Sequence, residues 1–312
     1  MNDNQSQTES MLDLVKGINN QTIMLPEFQR DFRWEMDRTY DLFDSLVREI
    51  FTGTLIYGKP GFGMTLREID IRPRKGKGSN ARLVTHAFST AEMHQRAQTK
   101  NLRIVLDGQQ RITSIYRAIT GYDKVYLIAR DLHNVSNPGQ LGLEEILEEF
   151  AGEESSEAIS VLFEDAYRAE IEDWDQEQID ARFVASTYAR EQLVNAASEA
   201  HKAAIRIYRR ALKLLIAFYK QEKMVAFYLL DMSLEKFCLF FERSNSRGIQ
   251  LNFTDILAAK LYSGFNLRKK IDEFETQTRL TINREVIVRA IAYIRATERG
   301  AQIKIETPCK PL

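Results

Sequence analysis

Five consecutive residues, Asp107 to Arg111, read Asp-Gly-Gln-Gln-Arg and form the most polar cluster in their part of the chain. The apolar run before them, Leu102 to Leu106, predicts a buried strand. The residues after them have the spacing of an amphipathic helix, with apolar side chains at Ile112, Ile115, Tyr116 and Ile119. The cluster is therefore expected at a helix N-terminus, where unpaired backbone N–H groups and the helix dipole favour an anion. An arginine and two amides there suit phosphate oxygens and the polar edge of a ligand.

A plainer interpretation of this pentapeptide needs no ligand. Asp107 would cap the helix, and Arg111 would be a solvated residue of its first turn. The five residues taken by themselves do not separate the two interpretations, so the choice depends on what else the chain contains.

Two further polar clusters stand between apolar flanks, one from Leu25 to Trp34 and one from Phe241 to Asp255. The first of them carries the pair Gln29-Arg30, which repeats the pair Gln110-Arg111. A guanidinium offers forked donors that suit phosphate, and the neighbouring amide donates or accepts. Brought together, the two pairs would hold a triphosphate and one polar edge of a base or ribose.

Gly53 to Lys59 has the outline of a phosphate-binding P-loop, G-x-x-x-x-G-K, but other features exclude that motif. The next residue is Pro60, where a P-loop needs a Ser or Thr hydroxyl for magnesium. The intervening residues are bulky and apolar, and a helix is predicted before the segment rather than after it. Nucleotide binding in this chain therefore requires another architecture.

Composition narrows the class of protein. The chain has 312 residues, of which 44% are hydrophobic, enough for one large domain or two smaller ones. Its 43 Lys and Arg residues balance 44 Asp and Glu residues, which argues against a strongly basic protein that coats nucleic acid. The two cysteines, Cys238 and Cys309, have no metal or disulfide spacing, and no apolar run is long enough to span a membrane. We therefore expect a reduced, cytoplasmic protein.

The hydrophobic pattern predicts an α+β fold, with a small mixed sheet core early in the chain and many helices later. Residues 1–9 look unstructured, and residues 141–222 have helical spacing with almost no strand signal. The chain is expected to divide into a core at 1–130, a helical region at 131–222, and a strand with helices at 223–312.

Residues 67–82 carry arginines and lysines among glycines, without apolar periodicity from Arg72 onward. Most such runs are solvated loops, and the alternative is a mobile arm that contacts phosphates. We take the basic side chains at the centre of this run as candidates for contact with DNA phosphates, namely Arg72, Arg74, Lys75 and Lys77.

The order and composition of the three clusters resemble the family named after the N-terminal domain of the GmrSD restriction endonucleases. That family is marked by P-x-x-Q-R-x-[F/Y]-x-W, D-G-Q-Q-R, and F-x-x-x-N followed by a Gly and a Leu-x-x-x-Asp helix start. This chain supplies all of Asp107 to Arg111 for the second segment. For the first and third segments it supplies Pro26, Gln29, Arg30, Phe32, Trp34, Phe241, Asn245, Gly248, Leu251 and Asp255. The resemblance runs from about Ser10 to Leu261.

The resemblance implies a ParB/sulfiredoxin-like fold with helical additions. Family members occur in bacterial anti-phage systems that recognise modified DNA, such as glucosylated hydroxymethylcytosine or phosphorothioate backbones. Their D-G-Q-Q-R domain binds and hydrolyses nucleoside triphosphates, with Mg²⁺ expected, and thereby controls a nuclease. That nuclease is usually an HNH-type domain, fused downstream or on a partner chain. Because no histidine follows His201, an HNH centre is not expected within these residues.

Site residues follow from the resemblance position by position. The nucleotide would be held by residues of all three clusters, namely Gln29, Arg30, Gly108, Arg111, Phe241 and Asn245. The hydrolytic and phosphate-binding centre would comprise Asp107, Gln109, Gln110 and Arg111. Asp107 would orient the attacking water or hold the metal, and one of the two glutamines would position the water. The choice among GTP, CTP, UTP and ATP stays open, as does self-association.

Two other functional classes stay open beside this sensor of modified DNA. A non-enzymatic, ParB-like DNA-binding adaptor would use the nucleotide as a switch or not at all, and it predicts DNA binding with slow or absent hydrolysis. A stand-alone nuclease would use acidic residues of the helical region, and it predicts magnesium-dependent nicking by the chain itself.

Overall fold

The structure is a computed structural model, and it describes residues 5–29, 31–131, 140–244 and 267–279. The chain divides into two compact units. The first unit comprises residues 1–59, 65–86 and 95–231, and the second comprises residues 60–64, 87–94 and 232–312. The predicted division into three regions, with boundaries near residues 130 and 222, remains untested.

Two sheets are present among the described residues. The larger has seven strands in the order β1-β10-β3-β6-β2-β4-β5, and the smaller has three in the order β8-β7-β9. Their bounds are β1 Gln5–Glu9, β2 Ile23–Pro26, β3 Leu55–Pro60, β4 Met64–Arg67, β5 Thr85–Phe88, β6 Arg103–Asp107, β7 Tyr126–Ala129, β8 Leu147–Ala151, β9 Ser160–Leu162 and β10 Met224–Met232. β2 and β6 run parallel, and β3 pairs antiparallel with β6. This mixed sheet with many helices confirms the predicted α+β class, while the ParB/sulfiredoxin-like type stays a prediction.

Helices occupy most of the rest of the described chain. Their bounds are α1 Met11–Asn19, α2 Met36–Val47, α3 Thr90–Thr99, α4 Gln109–Ile119, α5 Leu143–Ile146, α6 Phe163–Ile171, α7 Gln176–Val184, α8 Thr187–Gln192, α9 Ser198–Lys220, α10 Leu234–Ser244 and α11 Leu267–Thr278. α1 begins at the residue that the sequence indicates, since the Ser10 hydroxyl accepts a hydrogen bond from the backbone N–H of Asp13. α4 likewise begins directly after the predicted strand.

The core of the first unit forms where α1, α2, α4 and α9 cover buried strand residues. β6 contributes Ile104, Val105 and Leu106, and the apolar stripe of α4 is buried as its spacing predicts. Phe43 and Phe163 meet edge to face with ring centroids 4.7 Å apart, and Tyr219 packs against Phe163. Each such side chain contributes about 1.5–3 kcal/mol to the stability of this core through burial.

Residues 5–9 form a strand, contrary to the expectation that residues 1–9 are unstructured. β1 pairs antiparallel with β10, with Gln5 opposite Tyr228 and Glu9 opposite Met224. Its sequence has no apolar alternation, and its exposed residues are polar, so the hydrophobic pattern does not reveal the strand. The partner strand provides its hydrogen bonds, and this pairing is invisible to a local pattern.

A buried polar cluster fixes β1 to the sheet. The Tyr57 hydroxyl donates to Glu9 Oε2 at 2.9 Å, and the Arg103 guanidinium forms an ion pair with Glu9. Arg103 also donates to the Tyr228 hydroxyl at 2.6 Å and lies 4.9 Å from the Tyr57 ring centroid. Four strands, β1, β3, β6 and β10, therefore meet at one carboxylate.

The stretch 141–222 also contains strands that its composition does not predict. β8 and β9 both pair antiparallel with β7, which the sequence does predict. In β8 Leu147 and Phe150 are buried while Glu148 and Glu149 between them are exposed, so the strand lacks regular alternation. The remainder of this stretch is helical, as expected.

We expect Glu9→Ala to lower the free energy of unfolding by about 3–5 kcal/mol, because it leaves Arg103 buried without its carboxylate. The matched control is Thr8→Ala on the same strand, where an exposed hydroxyl bonds to Glu222. Its cost should stay below about 1 kcal/mol. Denaturant unfolding measures both, and equal costs would contradict the importance of the buried cluster.

Candidate functional site

The predicted helix N-terminus is present, and a glycine forms it. β6 ends at Asp107, and Gly108 is the N-cap of α4 with φ +93°, a left-handed conformation that favours glycine. A Cβ at this position would lie 2.6 Å from Leu55 Cδ2. Asp107 precedes the N-cap and no side chain caps the helix, so the plainer interpretation of Asp107 as the cap is wrong. Its carboxylate is instead 60% exposed.

Gln110 joins the first polar cluster to this helix. Its Oε1 accepts hydrogen bonds from the backbone N–H groups of Arg33 at 2.8 Å and Trp34 at 3.2 Å. Its Nε2 donates to the backbone carbonyl of Asp31 at 3.2 Å. One side-chain amide therefore holds three backbone groups of a segment 76 to 79 residues away in the chain. The structure thereby brings together two clusters that the sequence places far apart.

Gln29 reinforces the same junction from the other side. Its side chain is 7% exposed, and its Nε2 donates to the backbone carbonyls of Val105 at 2.8 Å and Leu106 at 3.1 Å. Its Oε1 is buried and has no hydrogen-bond donor within the described part of the chain. Leaving such an oxygen unpaired costs about 1–3 kcal/mol, so a ligand hydroxyl, a ligand N–H or a water would stabilise it. Arg30, the other half of this pair, lies outside the described residues.

Arg111 is anchored on the loop before β3. Its Nη1 donates to the carbonyl of Thr52 at 2.9 Å and its Nη2 to the carbonyl of Thr54 at 3.1 Å. Nη2 also lies 3.6 Å from Asp107 Oδ2. Desolvation lowers the pKa of the guanidinium, and the charge of Asp107 partly opposes that shift. Two of its donors are therefore committed to carbonyls, and direct phosphate contact by Arg111 stays a prediction.

Gly53 makes the anchoring of Arg111 geometrically feasible, a role that the sequence does not reveal. Its φ is +95°, and a Cβ there would lie 2.5 Å from Arg111 Nη1. The glycine that gives the chain its misleading P-loop outline thus leaves room for a guanidinium. The signal available in the sequence was the glycine itself, one turn residue before a predicted strand.

The metal and hydrolytic assignments rest on Asp107 and the adjacent glutamines. Gln109 is half-buried beside the exposed Asp107 carboxylate. No group of three or more His, Cys, Asp or Glu side chains comes together within the described residues. Mg²⁺ typically takes one or two carboxylates and completes its shell with water and substrate phosphates, so Asp107 fits a metal that arrives with a nucleotide.

The third cluster is described in part. Phe241 lies in α10 of the second unit, where it is buried with its ring centroid 4.9 Å from that of Phe237. Asn245 lies outside the described residues. Completion of the nucleotide pocket by these two residues stays a prediction.

The basic run after β4 is tethered to the first unit. Arg72 Nη2 lies 2.6 Å from Asp70 Oδ2 and 3.5 Å from Asp31 Oδ2. Arg74 pairs with Asp123 at 2.7 Å and donates to the backbone carbonyl of Trp34. Lys75 and Lys77 are exposed. Of the four candidates for DNA contact, the two arginines are thus held in ion pairs and the two lysines project from the loop.

A buried ion pair near the other end of α4 completes the site's support, and sequence reasoning missed it. Arg117 is 1% exposed, and its Nε and Nη2 each donate to Asp123 at 2.8 Å. Its Nη1 donates at 2.8 Å to the carbonyls of Asp70 and Arg72. An arginine on a helix usually reads as a solvated residue, so nothing local marks Arg117 as buried.

We expect Gly53→Ala to destabilise the fold by about 1–3 kcal/mol more than Gly76→Ala, because the added methyl displaces the Arg111 guanidinium from two carbonyls. Gly76 is the matched control, since its φ is +85° and a Cβ there would meet nothing within 4 Å. Both glycines have a positive φ, +95° at Gly53 and +85° at Gly76, so both variants carry backbone strain of the same kind and the difference in unfolding free energy reports the contact. Equal losses would show that Arg111 does not depend on Gly53.

The stability that Asp123 contributes to the fold depends on pH. Burial would raise the pKa of the Asp123 carboxyl, but hydrogen bonds and charges from Arg117 and Arg74 outweigh it and hold that pKa below its ordinary value of 3.8. The stabilisation is therefore fully present above pH 3.8 and is lost as the pH falls through the folded pKa. Asp123→Asn should cost about 3–5 kcal/mol at pH 7, because Arg117 loses its buried counter-charge.

The measurement is denaturant unfolding of the wild type and Asp123→Asn at pH 7 and at pH values below 3.8. The gap between the two should narrow in acid, because the wild-type carboxyl becomes neutral there as well. Asp41→Asn, which alters an exposed carboxylate on α2, is the control and should differ little from wild type at either pH. A gap that is independent of pH would contradict the assignment.

No helix in the described part of the chain has the length and apolar character needed to cross a membrane. Over 292 residues the chain is 27% identical to a protein of Methanocaldococcus jannaschii described as uncharacterized protein MJ0686. That alignment covers 88% of this chain and 45% of the relative, so the chain spans about half the length of the curated relative it matches. Residues 11–262 match the family described as GmrSD restriction endonuclease, N-terminal domain, and because this match spans most of the chain, the protein belongs to that family of restriction-system modules.

Proposed function

We propose that the protein is the nucleotide-binding and nucleotide-hydrolysing sensor module of an anti-phage restriction system that acts on modified DNA. It would control a nuclease, of HNH type by the family resemblance, that lies outside residues 1–312. The observation that carries this proposal is the junction made by Gln110, which places residues 31–34 against the N-terminus of α4.

The arrangement around Asp107 suits a triphosphate. The N-cap of α4 is a glycine and offers no side-chain acceptor, and backbone N–H groups at a helix N-terminus bind phosphate oxygens without a dedicated cation. The nearby carboxylate of Asp107 is exposed, so it can orient a water molecule for attack on the terminal phosphorus. Mg²⁺, when bound with the nucleotide, would neutralise charge on the phosphates.

Separate residues would recognise the polar edge of the nucleotide. Gln29 presents a buried oxygen that accepts from a ligand hydroxyl or N–H, and Arg30 follows it directly in the chain. Gln110 cannot take this role without releasing the backbone of residues 31–34, so we assign it to positioning. Arg111 likewise positions the loop at Thr52 and Thr54 in this arrangement.

A second candidate function has one observation in its favour. A DNA-binding adaptor that uses the nucleotide as a switch needs binding but no rapid hydrolysis. The commitment of Arg111 to two carbonyls withdraws donors that would otherwise stabilise the transition state, and this favours slow chemistry. The two candidates share the binding site and differ in turnover.

The test is phosphate release from GTP, CTP, UTP and ATP, together with equilibrium binding of the same nucleotides, with and without modified DNA. We expect Asp107→Asn to lower the release rate by about 10²-fold or more while nucleotide affinity stays within a few fold, because the carboxylate acts on the water. Asp41→Asn removes an exposed carboxylate on α2 and should leave both quantities unchanged.

Three outcomes separate the candidates. Release that depends on Asp107 supports the hydrolysing sensor. Binding without release, by the wild type and by Asp107→Asn alike, supports the adaptor. If the wild type binds none of the four nucleotides, both candidate functions are overturned.

A further inference from the structure

A polar cavity of about 120 Å³ opens in the first unit between residues 32–35 and residues 70–79. One wall is formed by Phe32, Arg33 and Trp34, and the other by Arg72, Arg74 and Lys75. Arg117 of α4 also lines it. The lining is dominated by cations and aromatic rings, a combination that suits an anionic ligand with a flat or apolar part.

The inner arginines of the cavity are fixed in place. Arg74 and Arg117 both donate to the single carboxylate of Asp123. Their guanidinium carbons lie 4.9 and 5.4 Å from the centroid of the Phe32 ring, so both cations are within cation–π distance of that ring. Because two guanidinium groups share one carboxylate, this part of the cavity retains a net positive charge.

The outer cations are uncommitted. Arg33 and Lys75 are exposed, and neither has an ion pair among the described residues. The carboxylates of Asp70 and Glu35 also line the cavity, but Asp70 is neutralised by Arg72. Glu35 is exposed and is the N-cap of α2, where its side chain makes no capping hydrogen bond. The first N–H groups of α2 add positive potential here, and the exposed Glu35 carboxylate opposes it with one negative charge.

We propose that this cavity binds a phosphate group, with Arg33 and Lys75 as its direct ligands and the Arg74–Asp123–Arg117 cluster as its fixed positive base. The phosphate belongs either to a nucleic-acid backbone or to a nucleotide, because the same cations suit a diester and a terminal phosphate. Of the basic run after β4, this assigns contact to Lys75 through a built cavity rather than through a mobile arm.

The cavity and the N-terminus of α4 share one structural element. Gln110 bonds the backbone N–H groups of Arg33 and Trp34, while Arg74 donates to the carbonyl of Trp34. A ligand in the cavity would therefore lie on one side of Arg33 and Trp34, and a nucleotide at Asp107 would lie at the helix end that bonds the same two residues. A coupling between the two sites rests on the proposed nucleotide site. The phosphate site in the cavity does not depend on that proposal.

The test compares two double variants that remove the same charge. Arg33→Ala with Lys75→Ala changes the cavity, and Arg38→Ala with Lys100→Ala removes one exposed arginine and one exposed lysine elsewhere in the first unit. The probes are inorganic phosphate, ATP and a short duplex DNA, each titrated over a range of salt concentrations. All four altered side chains are exposed, so both variants should retain the fold, which thermal unfolding checks.

One of the probes should match the phosphate group that the cavity binds in its natural ligand. For that probe we expect the cavity variant to lose about tenfold or more in affinity and the control variant to lose less than about threefold. If that probe is DNA, the slope of log affinity against log salt should fall by about two, one unit for each lost phosphate contact. If the matching probe is ATP, the cavity variant and the control variant should show the same change in affinity for DNA.

Fluorescence of Trp34 provides an independent readout, because this residue lines the cavity. The chain has two tryptophans, and Trp174 is the other. The probe that binds should change the emission of the wild type and leave that of Trp34→Phe unchanged.

Equal losses by the two double variants for every probe would overturn the proposal, since they would indicate nonspecific attraction to positive charge. Unchanged affinity of the cavity variant for phosphate, ATP and DNA would overturn it as well. Failure of the nucleotide proposal is recognised separately, by absent phosphate release and absent nucleotide binding in the wild type. In that case, a loss of DNA affinity that is specific to the cavity variant would still support the phosphate site.

Discussion

The side-chain amide of Gln110 is the contact on which the site depends. It satisfies two backbone N–H groups and one carbonyl of residues 31–34, an irregular segment that has no sheet or helix of its own to bond with. Backbone groups in such a segment need partners, and a single amide with one acceptor and two donors supplies them. Without it, residues 31–34 would lose their hydrogen bonds to the N-terminus of α4, and Gln29 would still bond the start of the first polar cluster to β6.

α4 connects two polar regions, one at each end of the helix. Its N-terminus carries Gly108 and Gln110, and near its C-terminus Arg117 binds Asp123 and the carbonyls of the loop after β4. The buried stripe of the helix keeps the two ends at a constant separation. Residues 31–34 lie against both regions, through Gln110 on one side and Arg74 on the other. In the function proposed above, such a rigid connection would transmit a shift at one end of the helix to the other end rather than absorb it.

Much of the fold followed from local pattern, and the failures have a common cause. β6, α4, the capped start of α1 and the strand β10 are strongly periodic or capped, so short stretches of sequence indicate them. β1 was missed because its stability comes from pairing with β10 and from the contact of Glu9 with Arg103. β8 was missed because its exposed and buried residues do not alternate regularly. Both strands depend on partners distant in the chain or on irregular burial.

For the site, the sequence by itself determined which residue types are present and that two Gln-Arg pairs recur beside apolar elements. It also placed the second pair at a helix N-terminus, since hydrophobic spacing is a local property. The tertiary structure alone decided that the side chains of Gln110 and Arg111 bond to backbone groups. It also decided that Gly53 makes room for a guanidinium and that Arg117 is buried beside Asp123. Those outcomes depend on which distant carbonyl or carboxylate lies within hydrogen-bond distance, and folding sets that distance by packing strands and helices that are far apart in the chain.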